Sequence, residues 1–225
     1  MICSARITDY LRSLEPEGDP LLEEIAGKAK EDFVPIIRKE TGSLLKTLVA
    51  AANPGSILEL GTAVGYSALL MASVMGRGCH ITTIEQNERR IQAAKGNFSR
   101  AGRDKEITLL EGDAGELIEG FPDGAFDFIF MDGAKGQYIR WLPHVLRLLS
   151  PGGMLVSDNV LQDGDILESR FAVERRNRTI HSRMREYLFV LKHTPGLETA
   201  VIPIGDGVTV SVKRGALIGA GLRPD

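Results

Sequence analysis

From residue 56 onward, short apolar runs alternate with longer stretches in which apolar side chains recur every three or four positions. The first pattern is that of buried strands, the second that of helices presenting one face to a sheet. Strands are expected at 56–60 (SILEL), 80–84 (HITTI), 106–110 (EITLL), 126–131 (FDFIFM) and 153–157 (GMLVS). Helical stretches separate them at 66–75, 87–101, 114–119 and 137–149; in the first, Leu69, Leu70 and Val74 can pack on a sheet and Gly76 marks the end. Such alternation predicts a parallel sheet with right-handed crossovers. The stretch GLETAVIPIGDGVTVSVKR then holds two runs around Gly205-Asp206-Gly207, a strong hairpin signal. The expected architecture is α/β and Rossmann-like, a mostly parallel seven-stranded sheet closed by a C-terminal antiparallel hairpin.

Residues 1–55 read as helical and connective. Asp19-Pro20 suits the cap and first position of a helix carrying Leu22, Ile25, Ala29 and Phe33, with Pro35 ending it. A second helix around 41–52 places Leu44, Leu45, Leu48 and Val49 on one face before Asn53-Pro54-Gly55 breaks the pattern. These helices would cover the site or a partner subunit, with residues 56–214 as the catalytic core of a single domain. Residues 160–180, with Arg170, Glu174, Arg175, Arg176 and Arg178, read as a solvated loop and helix face rather than an anion site.

Charge and cysteine use narrow the classes. A net charge of -3 and a pI near 5.9 leave no basic footprint for nucleic acid. Two cysteines, Cys3 and Cys79, suggest neither a disulfide framework nor a zinc site, and fit a reducing cytoplasm. No apolar core of signal-peptide length opens the chain, and nowhere do ~18 apolar residues run together, so neither export nor a membrane is indicated. The expected partner is a small molecule.

Candidate chemistry begins at Ser56 to Gly65. Glu59 sits near the end of an apolar strand, and Gly61 and Gly65 let the following turn curl closely around a ligand. The position two residues after Gly61 is Ala63, where the dinucleotide fingerprint G-x-G-x-x-G needs a second glycine for pyrophosphate. A nucleoside without a pyrophosphate is favoured, and S-adenosyl-L-methionine is the candidate. Glu85 ends the second strand, where a carboxylate can accept hydrogen bonds from both ribose hydroxyls. Glu59 either organises the turn or faces the methionine part of the cofactor. The Asp113-Ala114 turn opens on the same edge of the sheet; Asp113 meets the adenine amino group or caps the next helix.

Asp132 follows the fourth strand and Asp158-Asn159 the fifth. In the usual order 3-2-1-4-5 these strands are neighbours ~4.8 Å apart, so the three side chains can converge beside the glycine turn. Two carboxylates that close repel unless a cation lies between them, and an all-oxygen set selects a hard ion such as Mg²⁺, Mn²⁺ or Ca²⁺ over zinc. Lys135, three residues past Asp132, is placed to act as a base.

Together these segments resemble the cation-dependent O-methyltransferases, the group containing catechol and caffeoyl-coenzyme A O-methyltransferases. The likeness covers roughly 41–214 and rests on ILELGTAVGYSALLMA, IEQN, FIFMDGAKGQY, SDNVLQDG and the closing PIGDGVTVSVKR. The resemblance implies metal ligation by Asp132, Asp158 and Asn159, a base at Lys135, ribose binding by Glu85, and cofactor contacts from Glu59, Gly61, Ser67, Asp113 and Ala114. It also implies a homodimer, and methyl transfer to one hydroxyl of a vicinal dihydroxy aromatic acceptor. Ala134 replaces the aromatic residue that flanks the lysine in catechol O-methyltransferases, and Tyr187-Leu188 stands where Phe-Asn is common. An NAD(P)-dependent oxidoreductase and a non-catalytic cofactor-binding protein of the same fold are the alternatives.

Overall fold

A computed structural model describes residues 4–215. Three helices, α1 (Ala5–Ser13), α2 (Pro20–Glu31) and α3 (Lys39–Ala52), precede β1 (Ser56–Leu60). The chain then runs α4 (Tyr66–Ala72), β2 (His80–Glu85), α5 (Glu88–Arg100), β3 (Ile107–Glu111), α6 (Ala114–Leu117), β4 (Phe126–Met131), α7 (Tyr138–Leu148) and β5 (Leu149–Ser157). It closes with α8 (Arg178–His193), β6 (Leu197–Ile202) and β7 (Val208–Lys213). The strand order is β3-β2-β1-β4-β5-β7-β6, so the expected order of the parallel strands holds. The second strand of the hairpin, β7, joins the sheet antiparallel to β5, and β6 forms the edge.

Strand alternation divides the core into two layers. Ile57, Ile81, Phe128, Phe130 and Val156 face α2 to α5, whereas Leu58, Leu60, Ile129, Met131 and Leu155 face α7 and α8. The parallel registers pair Leu60 with Ile84 on one side and Met131 on the other, and Met131 with Ser157. Four strands therefore end level, and the residues leaving them meet along one edge.

Several expectations shift. Helix α2 stops at Glu31; Phe33, expected on its apolar face, has φ 54° and is 94% exposed. Helix α8 overlaps the stretch 160–180, read as a solvated loop and helix face, only at 178–180; the rest of it had no expected element, because only His181, Met184, Tyr187 and Leu191 are buried along its length, a narrow stripe among charged residues. Strand β5 begins at Leu149, ahead of the expected 153, with an irregular register against β4. Cys79 is buried and unpaired, and Cys3 lies outside the described residues. Among the described residues no helix is long and apolar enough to cross a membrane.

Candidate active site

The glycine turn is shaped by the protein itself. Gly61 has φ 109°, and a Cβ there would lie 2.5 Å from the Asp132 carbonyl oxygen, so only glycine lets the chain leaving β4 pass this close. Gly65, with φ 83°, starts α4 against the Phe98 ring, 2.5 Å from where a Cβ would stand. Both contacts are internal to the protein; Gly61 also lines the cavity described next, whereas Gly65 is not part of its wall. Ser67 and Glu59 also lie behind the turn. The Glu59 carboxylate accepts from Ser67 Oγ at 2.5 Å and Thr83 Oγ1 at 2.5 Å. Burial pushes this carboxyl up to about 7 against the pull of those hydroxyls, with Glu85 adding to the rise. Of the two roles open to Glu59, the geometry supports organising the turn.

In front of the turn lies a cavity of about 700 Å³ along the carboxyl ends of the strands. Glu85 forms part of its wall: Ala63 N–H donates to Oε2 at 3.0 Å, and the N–H groups of Gln86 and Asn87 donate to Oε1 at 3.0 and 2.9 Å. Those donors hold the carboxylate at the strand end, with further acceptor capacity for hydroxyls. Asp113 Oδ1 accepts from the N–H groups of Gly115 (2.7 Å) and Glu116 (3.3 Å), so Asp113 caps α6 while it and Ala114 line the same cavity. Trp141, on α7, stands on this wall between Gly133 and Gly115. Its signal was its place in the buried stripe Tyr138, Trp141, Leu142, Val145 of α7.

At the opposite end of the cavity the acids converge. The sheet ladder continues one residue beyond β4 and β5: Asp132 N–H donates to Leu60 O and Asp158 N–H to Met131 O, both at 3.0 Å. Beneath them the buried Tyr138 hydroxyl donates to Met131 O at 3.0 Å, tying the strand ends together. Asp158 Oδ1 accepts from Asn159 N–H at 2.7 Å, and Asn159 adopts φ 59°. Burial, then the charge of Asp158, then that of Glu59, holds the Asp132 carboxyl well above the usual carboxylate range, with Lys135 opposing. Burial likewise lifts Asp158 to about 6, opposed by the Asn159 N–H, Lys135 and Arg38, and reinforced by Asp206.

These residues suit a hard cation. Among the described residues no donor hydrogen-bonds the Asp132 carboxylate. Nor, among them, does any group of three or more His, Cys, Asp or Glu side chains come close enough to hold an ion, so the available set is two carboxylates and the Asn159 amide. A mostly hydrated ion such as Mg²⁺ tolerates so few protein ligands, whereas zinc sites use more nitrogen and sulfur. Lys135 lines the cavity beside them, with its ammonium 3.3 Å from Asp206 Oδ2. Sequence reasoning gave Lys135 the place of a base beside the acids and missed Asp206, Arg38 and the segment 35–38, which forms part of the cavity wall.

A parallel sheet with a glycine turn, an acid held for hydroxyls and an acid-amide cluster at its strand ends defines a nucleoside-dependent α/β enzyme. The O-methyltransferase family model matches residues 16–214, and the chain belongs to that family. It is accordingly an S-adenosylmethionine-dependent enzyme of methyl transfer to oxygen, and the oxidoreductase and non-catalytic alternatives fall away. A catechol O-methyltransferase of Niastella koreensis is 31% identical over 156 residues, 68% of this chain and 71% of that one. The crystal structure of a candidate caffeoyl-CoA O-methyltransferase from Staphylococcus aureus is 32% identical and covers 92% of this chain and 97% of its own, with a TM-score of 0.81. The O-methyltransferase from Bacillus cereus, solved in complex with SAH, shares the fold at 24% identity with a TM-score of 0.81, covering 92% of this chain and 97% of its own.

Proposed function

We propose that this enzyme methylates one hydroxyl of a vicinal dihydroxy aromatic acceptor, catechol-like or caffeoyl-like, with the help of a hard divalent cation. The observation that carries the proposal is the pair of carboxylates, Asp132 and Asp158, kept together at adjacent strand ends on the same cavity wall as Asn159 and Lys135. Such a pair is costly to bury unless a cation neutralises it. Asp132, Asp158 and Asn159 would hold the ion, which when bound supplies positive charge that favours the ionised form of a nearby hydroxyl. Glu85, Asp113, Ala114 and Trp141 would position the nucleoside at the opposite end, and Gly61 would keep the turn between the two halves.

Lys135 Nζ would take the hydroxyl proton. The O–H bond breaks as an N–H bond forms, the oxygen lone pair closes on the sulfonium methyl carbon, and the C–S electron pair stays on sulfur. The chain itself contributes orientation and charge rather than a covalent intermediate. Support for a homodimer comes from α1 and its C-cap, where Ile7, Tyr10, Leu11 and Leu14 are exposed apolar side chains; sedimentation velocity reads that state. The reading places the enzyme in the cytoplasm, consistent with two cysteines and a small-molecule acceptor.

The test is methyl transfer from labelled S-adenosylmethionine to a panel of catechols and caffeoyl esters, with Mg²⁺ and then with excess chelator. Activity that disappears with chelator and returns with Mg²⁺ is expected. Activity indifferent to chelator would overturn the cation's role, and transfer only to acceptors without adjacent hydroxyls would overturn the acceptor class.

A further inference from the structure

We propose that Asp206, at the tip of the β6–β7 hairpin, is the positioning residue that aims the Lys135 amine into the cavity. The assignment rests on Lys135 being the base of the reaction proposed above. Lys135 has a long, flexible side chain on a short helical turn outside the sheet, and it is about one-third exposed. Nothing in its own segment holds its amine against the acids.

Asp206 is the opposite kind of residue. Its side chain is buried, and its turn is pinned on three sides. Val160 N–H donates to Gly207 O and Leu161 N–H to Asp206 O, both at 3.0 Å, which locks the hairpin tip to the segment that follows Asp158 and Asn159. The flanking glycines make the approach possible: a Cβ at Gly205 would collide with Thr41 Oγ1, and one at Gly207 with Leu161. Arg38 Nη1 donates to Gly205 O at 3.1 Å from the third side. With its backbone fixed, Asp206 divides its two oxygens. Oδ1 accepts from Asp163 N–H, and Oδ2 receives the Lys135 ammonium.

The charges around the amine give that contact a direction. Asp132, Asp158 and Asp206 attract it, whereas Arg38, whose charge also acts on Asp206 and Asp158, repels it. The amine is thus paired with the rigid hairpin acid while the charges of the two strand-end acids act on it. When Lys135 takes the acceptor proton, the ammonium forms already paired with Asp206. With its lysine partner about one-third exposed, the ion pair is assigned to orientation rather than to folding stability.

The experiment compares the full-length Asp206→Asn and Asp206→Glu proteins with wild type in two readouts. Asparagine keeps an oxygen for the Asp163 N–H and removes only the charge. The first readout needs no acceptor: lysine acylation by an N-hydroxysuccinimide ester, followed peptide by peptide with mass spectrometry and normalised to the exposed Lys105. Release from Asp206 should label Lys135 about 3-fold faster or more in Asp206→Asn, and near the wild-type rate in Asp206→Glu. The second is steady-state methyl transfer: kcat should fall at least 10-fold in Asp206→Asn, a modest part of the usual general-base contribution. The KM values should stay within about 2-fold, and Asp206→Glu should recover most of the loss. If the asparagine protein does not fold, Asp206→Ser is read in the same way. Unchanged Lys135 labelling, or a loss carried by KM and not recovered by glutamate, overturns the proposal. A wild-type enzyme that methylates nothing in the panel would instead count against the proposed acceptor, and the labelling would still decide the role of Asp206.

Discussion

Glu59 is a fully buried acid whose hydrogen-bond partners among the described residues are two uncharged hydroxyls, and that makes stability depend on pH. Its carboxyl rises from 4.5 in the ordinary state to about 7 in the fold, so between those values the folded chain binds the extra proton. The stabilisation is complete below pH 4.5 and is lost as pH rises through 7, by roughly 3 kcal/mol for one group. Urea unfolding with Mg²⁺ present should show wild type less stable at pH 8 than at pH 5, and Glu59→Gln should remove that part of the difference. A Glu59→Gln protein with the same pH slope as wild type would assign the dependence elsewhere. Lys135→Ala should lose at least ~100-fold in turnover while calorimetry still shows S-adenosylmethionine binding. Unchanged turnover would remove Lys135 from the reaction. Residue types were the most legible part of the site. Lys135, Glu85, Asp132, Asp158 and Asn159 each follow a strand end in the sequence, and all five line one cavity. Glu59, Gly65 and Ser67 share that sequence neighbourhood, but the side of the turn they occupy depends on packing against Thr83 and Phe98.

At the scale of elements, close approaches of backbone to backbone decide what the turns tolerate. Gly61→Ala places a methyl against the Asp132 carbonyl at a φ that L residues avoid, so a loss of about 3 kcal/mol is expected in chemical denaturation. The cofactor affinity should fall with it, because the displaced chain is the one that carries Asp132. A stability within about 0.5 kcal/mol of wild type would mean the turn relaxes without strain. Lys213 serves a different junction: its buried ammonium donates to Leu146 O at 2.8 Å and Leu149 O at 2.6 Å, closing the end of α7 where it turns directly into β5. Lys213→Met fills the space but leaves both carbonyls unpaired, and should cost about 1–3 kcal/mol in the same assay with no change in KM. The strands and the helices between them were readable because each buries a periodic face. The 16-residue α8 was not, since its buried positions are only four and its charges dominate the pattern.

At the scale of the whole molecule, the acid pair couples folding to the ion it is proposed to hold. A ligand that binds only the folded chain stabilises it by ~2.7 kcal/mol at one hundred times its dissociation constant. For a domain of this size that corresponds to roughly 5–10 °C in Tm. Saturating Mg²⁺ should therefore raise Tm by several degrees and excess chelator should reverse it, while Asp158→Asn should respond far less. Equal shifts in wild type and variant would place the ion elsewhere.

By itself, the sequence determined that strands and helices alternate, that the first five strands run parallel, and that acids, a lysine and glycine turns sit at strand ends. Those properties are local: period, turn chemistry and residue type act over a few positions. Only the tertiary structure decided that β7 rather than β6 joins β5, and that Trp141 forms part of the cavity wall. It alone put Asp206 beside Lys135, 71 residues apart in the chain. Such meetings depend on sheet register and on how tightly hairpin, loop and N-terminal segment pack together, and no local pattern encodes a distance between segments so far apart.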